Sequence, residues 1–336
     1  MRKQVKLQDV ADLAGVHVST ASRVLRDMPG RIGEETANRI LAAAEELGFQ
    51  RNRWAASLRS GKTKTVGVLV PRITDVVLAT VFEAIEIRAA ELGYQAVVSS
   101  SWDDLESRRL QIRRYLGERV DGLIIADARV SDPDLDQLVK DGFPLVLVSR
   151  GSEGFPSVTG NDYRGGQLVA NHLIDQGYRK LAVVAGPNYA KTAIDRVKGF
   201  QDAAKERSVE IDGALVVNSS FDALGGMTAM REILGKSTPD AIFAVNDFAA
   251  IGAMSALDEV GLLPGRDVAV AGYNDIDISS KLLVPLTSVR TPLEEMGRCA
   301  FDSLLELLDT GSARSKVLEP ELMPRKATLF ERVGAP

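Results

Sequence analysis

The chain has very few of the side chains that do covalent or metal chemistry. Its 336 residues include one cysteine, Cys299, and two histidines, His17 and His172. A lone cysteine excludes an internal disulfide and suits a reducing compartment, so a cytoplasmic location is the expectation. Neither histidine has a second ligand at metal-binding spacing, which leaves no metal site and no cofactor to expect. A Ser–His or Cys–His catalytic pair would have to use one of these two histidines. His172 lies in a run that reads as helix surface, and Cys299 lies in an amphipathic run, Gly297 to Leu305, that reads as a packed helix. No Gly-x-Gly-x-x-Gly, P-loop or nucleophile-elbow pattern occurs, so an enzyme is not the expectation. No apolar run approaches the roughly 20 residues of a membrane span. The charged N-terminus has no apolar core of the kind a secretory signal needs, and no membrane partner is expected.

What is present is unevenly distributed. The formal net charge is -5, yet residues 1–62 hold 11 Lys and Arg against 7 Asp and Glu, leaving 30 against 39 for the rest. A basic head on an acidic body fits a protein that presents one end to nucleic acid. Within the head, Leu7 to Ala14 has helical apolar spacing and stops at Gly15, and Val18 to Leu25 forms a second short helix. Two short helices joined by a tight glycine turn read as a helix-turn-helix, although an ordinary helical hairpin has the same spacing. A third helix follows, with Gly33 at its N-cap, Glu34 and Glu35 in its first turn and Gly48 at its end. Its stripe of Ile40, Ala43, Ala44 and Leu47 closes a three-helix core. Residues 49–60 then make a basic connector, with Arg51, Asn52, Arg53 and Arg59 suited to lie on DNA.

From Thr65 the pattern becomes strands alternating with amphipathic helices. Val66–Val70, Gln95–Ser99, Leu123–Ala126 and Leu145–Val148 are apolar runs of the kind found in parallel strands covered on both faces. A second series follows at Leu181–Ala185, Ala214–Val217, Ala241–Val245 and Val268–Ala271. The series echo each other, as in Asp121-Gly122-Leu123-Ile124 and Asp240-Ala241-Ile242-Phe243. The fold expected is an all-α head followed by an α/β domain of two doubly wound parallel-sheet subdomains, with a ligand cleft between them.

The head residues Asp9-Val10-Ala11, Ala14-Gly15-Val16, Thr20-Ala21-Ser22-Arg23-Val24-Leu25 and Leu47-Gly48-Phe49, with the order of segments behind them, resemble the lactose/galactose repressor family of bacterial transcription regulators. The resemblance covers essentially the whole chain and implies a periplasmic-binding-protein-like body. It puts Val18, Ser19, Thr20 and Arg23 on a recognition helix, with Val18, Ser19 and Arg23 facing bases. It puts Asn52, Ala55 and Leu58 on a minor-groove hinge helix, Leu58 as the wedge that unstacks a base step. Lys6 and His17 stand where the family has Thr and Ser helix caps, each a loss of about 1 kcal/mol if nothing replaces them. Arg51 replaces the family's proline. In the body, Leu78 occupies a position that is often aromatic in relatives. Arg196-Val197-Lys198-Gly199-Phe200 matches the family's Arg-x-x-Gly-Phe, whose arginine reaches the ligand. Phe221 matches a stacking ring, Asn246 a strand-end contact, and Tyr273-Asn274-Asp275 an aromatic-Asp-Asp motif. The implied effector site is Leu78, Arg196, Phe221, Asn246, Asn274 and Asp275.

The expected domains are 1–48 for the head, 49–61 for the hinge and 62–336 for ligand binding and dimerisation. Within the last, 62–160 with 290–325 forms one subdomain and 161–289 the other. The function expected is a sequence-specific DNA-binding regulator, a repressor, whose hold on a pseudo-palindromic operator is set by a small effector. A sugar or sugar derivative is the leading effector, with a nucleobase or nucleoside as the alternative. A leucine-heptad tail is absent, so a homodimer is the expected assembly. A solute-binding protein or a sugar-processing enzyme are further alternatives, disfavoured by the basic head and the missing catalytic motifs.

Overall fold

The computed structural model describes residues 5–25, 32–49 and 62–329. The chain divides into two compact units, Met1–Thr63 and Lys64–Pro336. The first holds α1 (Leu7–Leu13), α2 (Val18–Val24) and α3 (Glu34–Glu46). Gly15, at φ +61°, makes the sharp turn between α1 and α2, a conformation that costs glycine nothing. Val10, Ala11, Ala21, Val24, Ile40 and Ala43 form its core. The two unusual cap residues are both compensated. The His17 Nδ1 accepts from the Ser19 backbone N–H at 3.3 Å. The Lys6 N–H donates to the Asp9 carboxylate at 2.7 Å, so an acid inside the helix does what the cap side chain does not. Asn52, Ala55 and Leu58 lie outside the described residues.

In the second unit, one sheet contains β1 (Thr65–Val70), β2 (Gln95–Ser100), β3 (Gly122–Ile125), β4 (Leu145–Val148) and β5 (Ser157–Gly160). The other contains β6 (Leu181–Ala185), β7 (Val216–Asn218), β8 (Ala241–Ala244) and β9 (Ala269–Ala271). Short strands β10 (Ser288–Arg290) and β12 (Glu321–Met323) pair antiparallel, and β11 (Lys316–Leu318) joins the edge of the first sheet. The sheet orders are β11-β5-β4-β3-β1-β2 and β7-β6-β8-β9. Every pairing within these two sheets is parallel, and both wind outward from their first strand in opposite directions. Each therefore has a switch point, β1/β3 in one lobe and β6/β8 in the other, and open parallel sheets bind ligands beyond the strand ends there.

Helices cover both faces of each sheet, which is why the buried strands carry no polar alternation. The first sheet lies between α4 (Val76–Glu91) with α11 (Leu293–Thr310) and α5 (Leu105–Glu118) with α6 (Pro133–Lys140). The second lies between α7 (Asp162–Asp175) with α8 (Lys191–Glu206) and α9 (Ala223–Lys236) with α10 (Asp247–Glu259). One sequence expectation changes: Gly213–Leu215 forms a 3-10 turn, so the strand expected at Ala214 starts at Val216. After β11 the chain returns to the second lobe, where Leu322 packs on its core and Ala327 is buried among Ala182, Ile242 and Leu286.

Helices α7 and α8 pack with backbones in direct approach. A Cβ on Gly166 would collide with the Arg196 carbonyl, and one on Gly199 with the Tyr163 carbonyl. Backbone cannot swing aside as a side-chain tip can, so Gly166→Ala and Gly199→Ala should each lose about 1–3 kcal/mol or more in denaturant unfolding. Gly235→Ala, with nothing within reach of its Cβ, serves as the neutral control.

Candidate functional site

In the head, α2 buries Ala21 and Val24 against the core, which turns the exposed Ser19 and Arg23, one helical turn apart, to the same outer face. Val18 and Thr20 are half-buried, and Val18 also packs on the head core. The Ser19 hydroxyl lies 2.8 Å from His17 Nδ1, so the substituted cap residue also fixes a side chain on that outer face. An exposed face of short polar groups and an arginine is chemically suited to base edges and phosphates.

In the body, the strand ends of the two lobes face each other across a cleft. Its outer chamber has a volume of about 350 Å³, with Leu78, Trp102 and Arg150 on one side and Tyr189, Phe221 and Phe248 on the other. A neck of about 40 Å³ leads inward to Thr192, Arg196, Asn246 and Asn274. The lobes meet at the cleft edge, where the Val130 N–H donates to the Tyr189 carbonyl at 3.1 Å. The Arg129 guanidinium lies 4.5 Å from the Tyr189 ring centre.

Arg196 lies at the floor of the neck and is only 6% exposed. Its Nε donates to Asp162 at 2.7 Å and its Nη1 to the Val245 carbonyl at 2.8 Å. Its guanidinium carbon lies over the Tyr273 ring, 3.7 Å from the ring centre. Burial pushes the Asp162 carboxyl up from its ordinary value, against the pull of the Arg196 charge. The arginine expected to reach a ligand is therefore first a structural member of the floor. Asn246 is similarly engaged: its Oδ1 caps α10 by accepting from the Ala249 N–H, and its Nδ2 donates to the Phe221 carbonyl at 2.7 Å. Through that bond Asn246 also positions Phe221.

Asn274 and Asp275 both have left-handed backbones, at φ 99° and 54°, and their side chains go to different places. Asn274 lines the neck, is 7% exposed, and its carboxamide makes no hydrogen bond among the described residues. Asp275, also expected at the effector site, has its carboxylate engaged elsewhere. Its carboxylate accepts from Arg325 at 2.6 Å and from the Arg290 Nη2 at 2.8 Å, tying together the connecting segments outside the cleft. Leu78 and Phe221 line both chamber and neck.

Several cleft residues were not expected from sequence. Asp75 caps α4 by accepting from the Val77 N–H at 3.0 Å, and burial pushes its carboxyl up despite that bond and the nearby Arg150 charge. Arg150 is gripped by both oxygens of Asp103, at 2.7 and 3.3 Å. The Tyr189 phenol is raised by burial and by the same Asp103. Asp75 stands directly before an apolar helical run, and Arg150 just after a strand, so cap and strand-end rules could have flagged both. The Asp103–Arg150 pairing depends on sheet order and had no sequence signal.

Comparison with known proteins gives the same architecture. Residues 6–52 match the description "bacterial regulatory proteins, lacI family", and residues 170–328 match a periplasmic binding protein-like domain. A transcriptional repressor from Salmonella arizonae named PurR is 30% identical over 328 residues, covering 96% of each chain. The lac repressor dimer bound to operator and the anti-inducer ONPF is 28% identical with a TM-score of 0.87, over 98% of this chain and 100% of that one. The regulator CelR in complex with cellobiose is 30% identical with a TM-score of 0.74, over 96% and 99%.

Behind the neck, Asp247 accepts from the Ser288 Oγ at 2.6 Å, the Ser279 Oγ at 2.8 Å and the Ile276 N–H at 2.8 Å. Burial pushes its carboxyl up to about 6, against those three bonds. A raised carboxyl binds its proton more tightly in the fold, so its contribution to stability is present below the ordinary carboxylate range and lost as pH rises through about 6. The stability of the wild type relative to Asp247→Asn should thus fall from about pH 4 to about pH 7 in urea unfolding. A difference that stays constant with pH would contradict the buried, raised carboxyl.

Proposed function

The chain belongs to the lacI family of bacterial regulatory proteins, and we propose that it represses transcription by holding a pseudo-palindromic operator as a homodimer, released or tightened by a neutral sugar-type effector in the interlobe cleft. The protein is a DNA-binding transcriptional repressor with an effector-binding body, and a regulator rather than an enzyme. Among the described residues, no helix is long and apolar enough to cross a membrane. Its place of work in this reading is the cytoplasm, where operator DNA lies.

The observation that carries the effector assignment is the cleft wall. Aromatic side chains Phe221, Tyr189 and Phe248 stand beside Asp75, Arg150 and the unpartnered carboxamide of Asn274. Aromatic faces suit the C–H side of a sugar ring, and planar polar groups suit its hydroxyls. The sugar complex of CelR supports the same class.

Binding between the lobes couples to DNA by changing how they close, which shifts the paired subunits and the hinge segments they carry. Ser19 and Arg23, with Val18 and Thr20, are the reading face in this proposal, and Asn52, Ala55 and Leu58 the minor-groove segment. Two half-sites about one helical turn apart, or a multiple of it, match two heads related by a twofold axis.

Three outcomes test this reading. A ligand at about 100 times its Kd adds roughly 2.7 kcal/mol, so the matching sugar should raise the melting midpoint by a few degrees, and nucleobases should not. Asn274→Gly should weaken that ligand about tenfold while leaving the ligand-free midpoint near wild type, since the amide carries no internal hydrogen bond and glycine accepts the left-handed backbone. Equal affinity in the variant would remove Asn274 from the site. Leu58→Ala should weaken operator binding far more than binding to random DNA in fluorescence anisotropy, and an equal loss on both would remove the wedge.

A further inference from the structure

The chamber outside the neck holds an exposed aromatic residue. Trp102 is 56% exposed at the cleft mouth, although an indole is among the costliest side chains to leave in water. Its backbone is left-handed, φ 55°, and so is that of Asp103, φ 56°, a conformation that L-residues other than Asn and Asp avoid. The turn is fixed in place by Ser101 N–H to the Val70 carbonyl at 2.9 Å and Trp102 N–H to the Pro71 carbonyl at 2.8 Å. Asp103, next in the turn, grips Arg150 with both oxygens. Strain of this kind persists where the surroundings enforce it, often at ligand clamps. Its result here is an indole set at the mouth of the chamber.

Size and charge narrow what the indole meets. The neck, at about 40 Å³, is a small fraction of the chamber, so the group set against Asn274 is a substituent and the rings lie outside it. The chamber, at about 350 Å³, equals the liquid volume of roughly twelve waters. Covalently bonded atoms pack more densely than that, so it exceeds one hexose. Its charges nearly cancel: Arg150 is matched by Asp103, and Arg72 stands with Asp75 and Asp222. There is no excess of positive charge to hold a sugar acid or a sugar phosphate.

We propose that Trp102, with Phe248 across the chamber, forms a second stacking subsite for the distal ring of a neutral disaccharide. The proximal ring lies on Phe221 and sends one substituent through the neck to Asn274. This rests on the reading of the cleft as the effector site, and it makes Trp102 the residue that selects two-ring over one-ring sugars.

The test uses the full chain carrying Trp54→Phe, which leaves Trp102 as the only tryptophan. Neutral disaccharides, hexoses, sugar acids and nucleosides are titrated while indole emission and the melting midpoint are followed. The expected result is a disaccharide that shifts emission to the blue and raises the midpoint. In the parent chain, Trp102→Ala weakens that disaccharide on the order of tenfold, leaves hexose affinity unchanged, and Trp102→Phe restores most of the loss. A ligand that raises the midpoint with no change in emission, and with equal affinity in Trp102→Ala, overturns the subsite while the effector site stands. A midpoint unmoved by every member of the panel overturns both.

Discussion

The body of this protein depends on one buried contact, the Arg196–Asp162 ion pair lying on Tyr273. Taking both charges out of water is costly, and removing one partner from such a pair typically costs about 3–5 kcal/mol. The fold makes the pair tolerable through close approach: glycines at 166 and 199 bring α7 and α8 together, and the Val245 carbonyl takes a further guanidinium proton. The guanidinium thereby becomes a fixed floor for the neck, spanning α7, α8 and the end of β8. Asn246, at that same strand end, then fixes Phe221. Much of the second lobe's contribution to the cleft follows from this one arrangement.

The first lobe supplies the opposing wall by a different device. Asp103 and Arg150 come from the ends of β2 and β4, and their ion pair spans two strands that lie between them in the sheet, β1 and β3. Tyr189 reaches over from the second lobe between Arg129 and Arg150. Directional contacts thus join the two lobes at the cleft edge. Contacts of this kind can be exchanged for contacts to a ligand, which gives ligand binding a means of shifting lobe closure.

Legibility in the sequence followed burial. The central strands β1, β3, β4, β6 and β8 are apolar almost throughout because both faces are covered, and each was readable as a run. The short segments β5, β10, β11 and β12 carry polar residues such as Ser157, Arg290, Lys316 and Glu321, and their pairing is set by distant chain, so no local pattern marks them. Motif position located Arg196, Phe221, Asn246 and Asn274 at the cleft, but did not separate ligand-facing groups from groups used up internally. Asp275 shows why. It adjoins Asn274 in sequence, yet two successive left-handed residues send one side chain inward and the other to Arg290 and Arg325. Trp102 was invisible for the same reason, since its orientation comes from a strained turn that composition does not announce.

In the proposed function the cleft and the DNA-reading head share a coupling free energy. The most direct measurement is reciprocal: operator affinity with and without saturating effector, and effector affinity with and without saturating operator. Both should change by the same factor, within about 5- to 150-fold, with the direction identifying inducer or corepressor. An effector that binds the cleft tightly while operator affinity stays the same would contradict it.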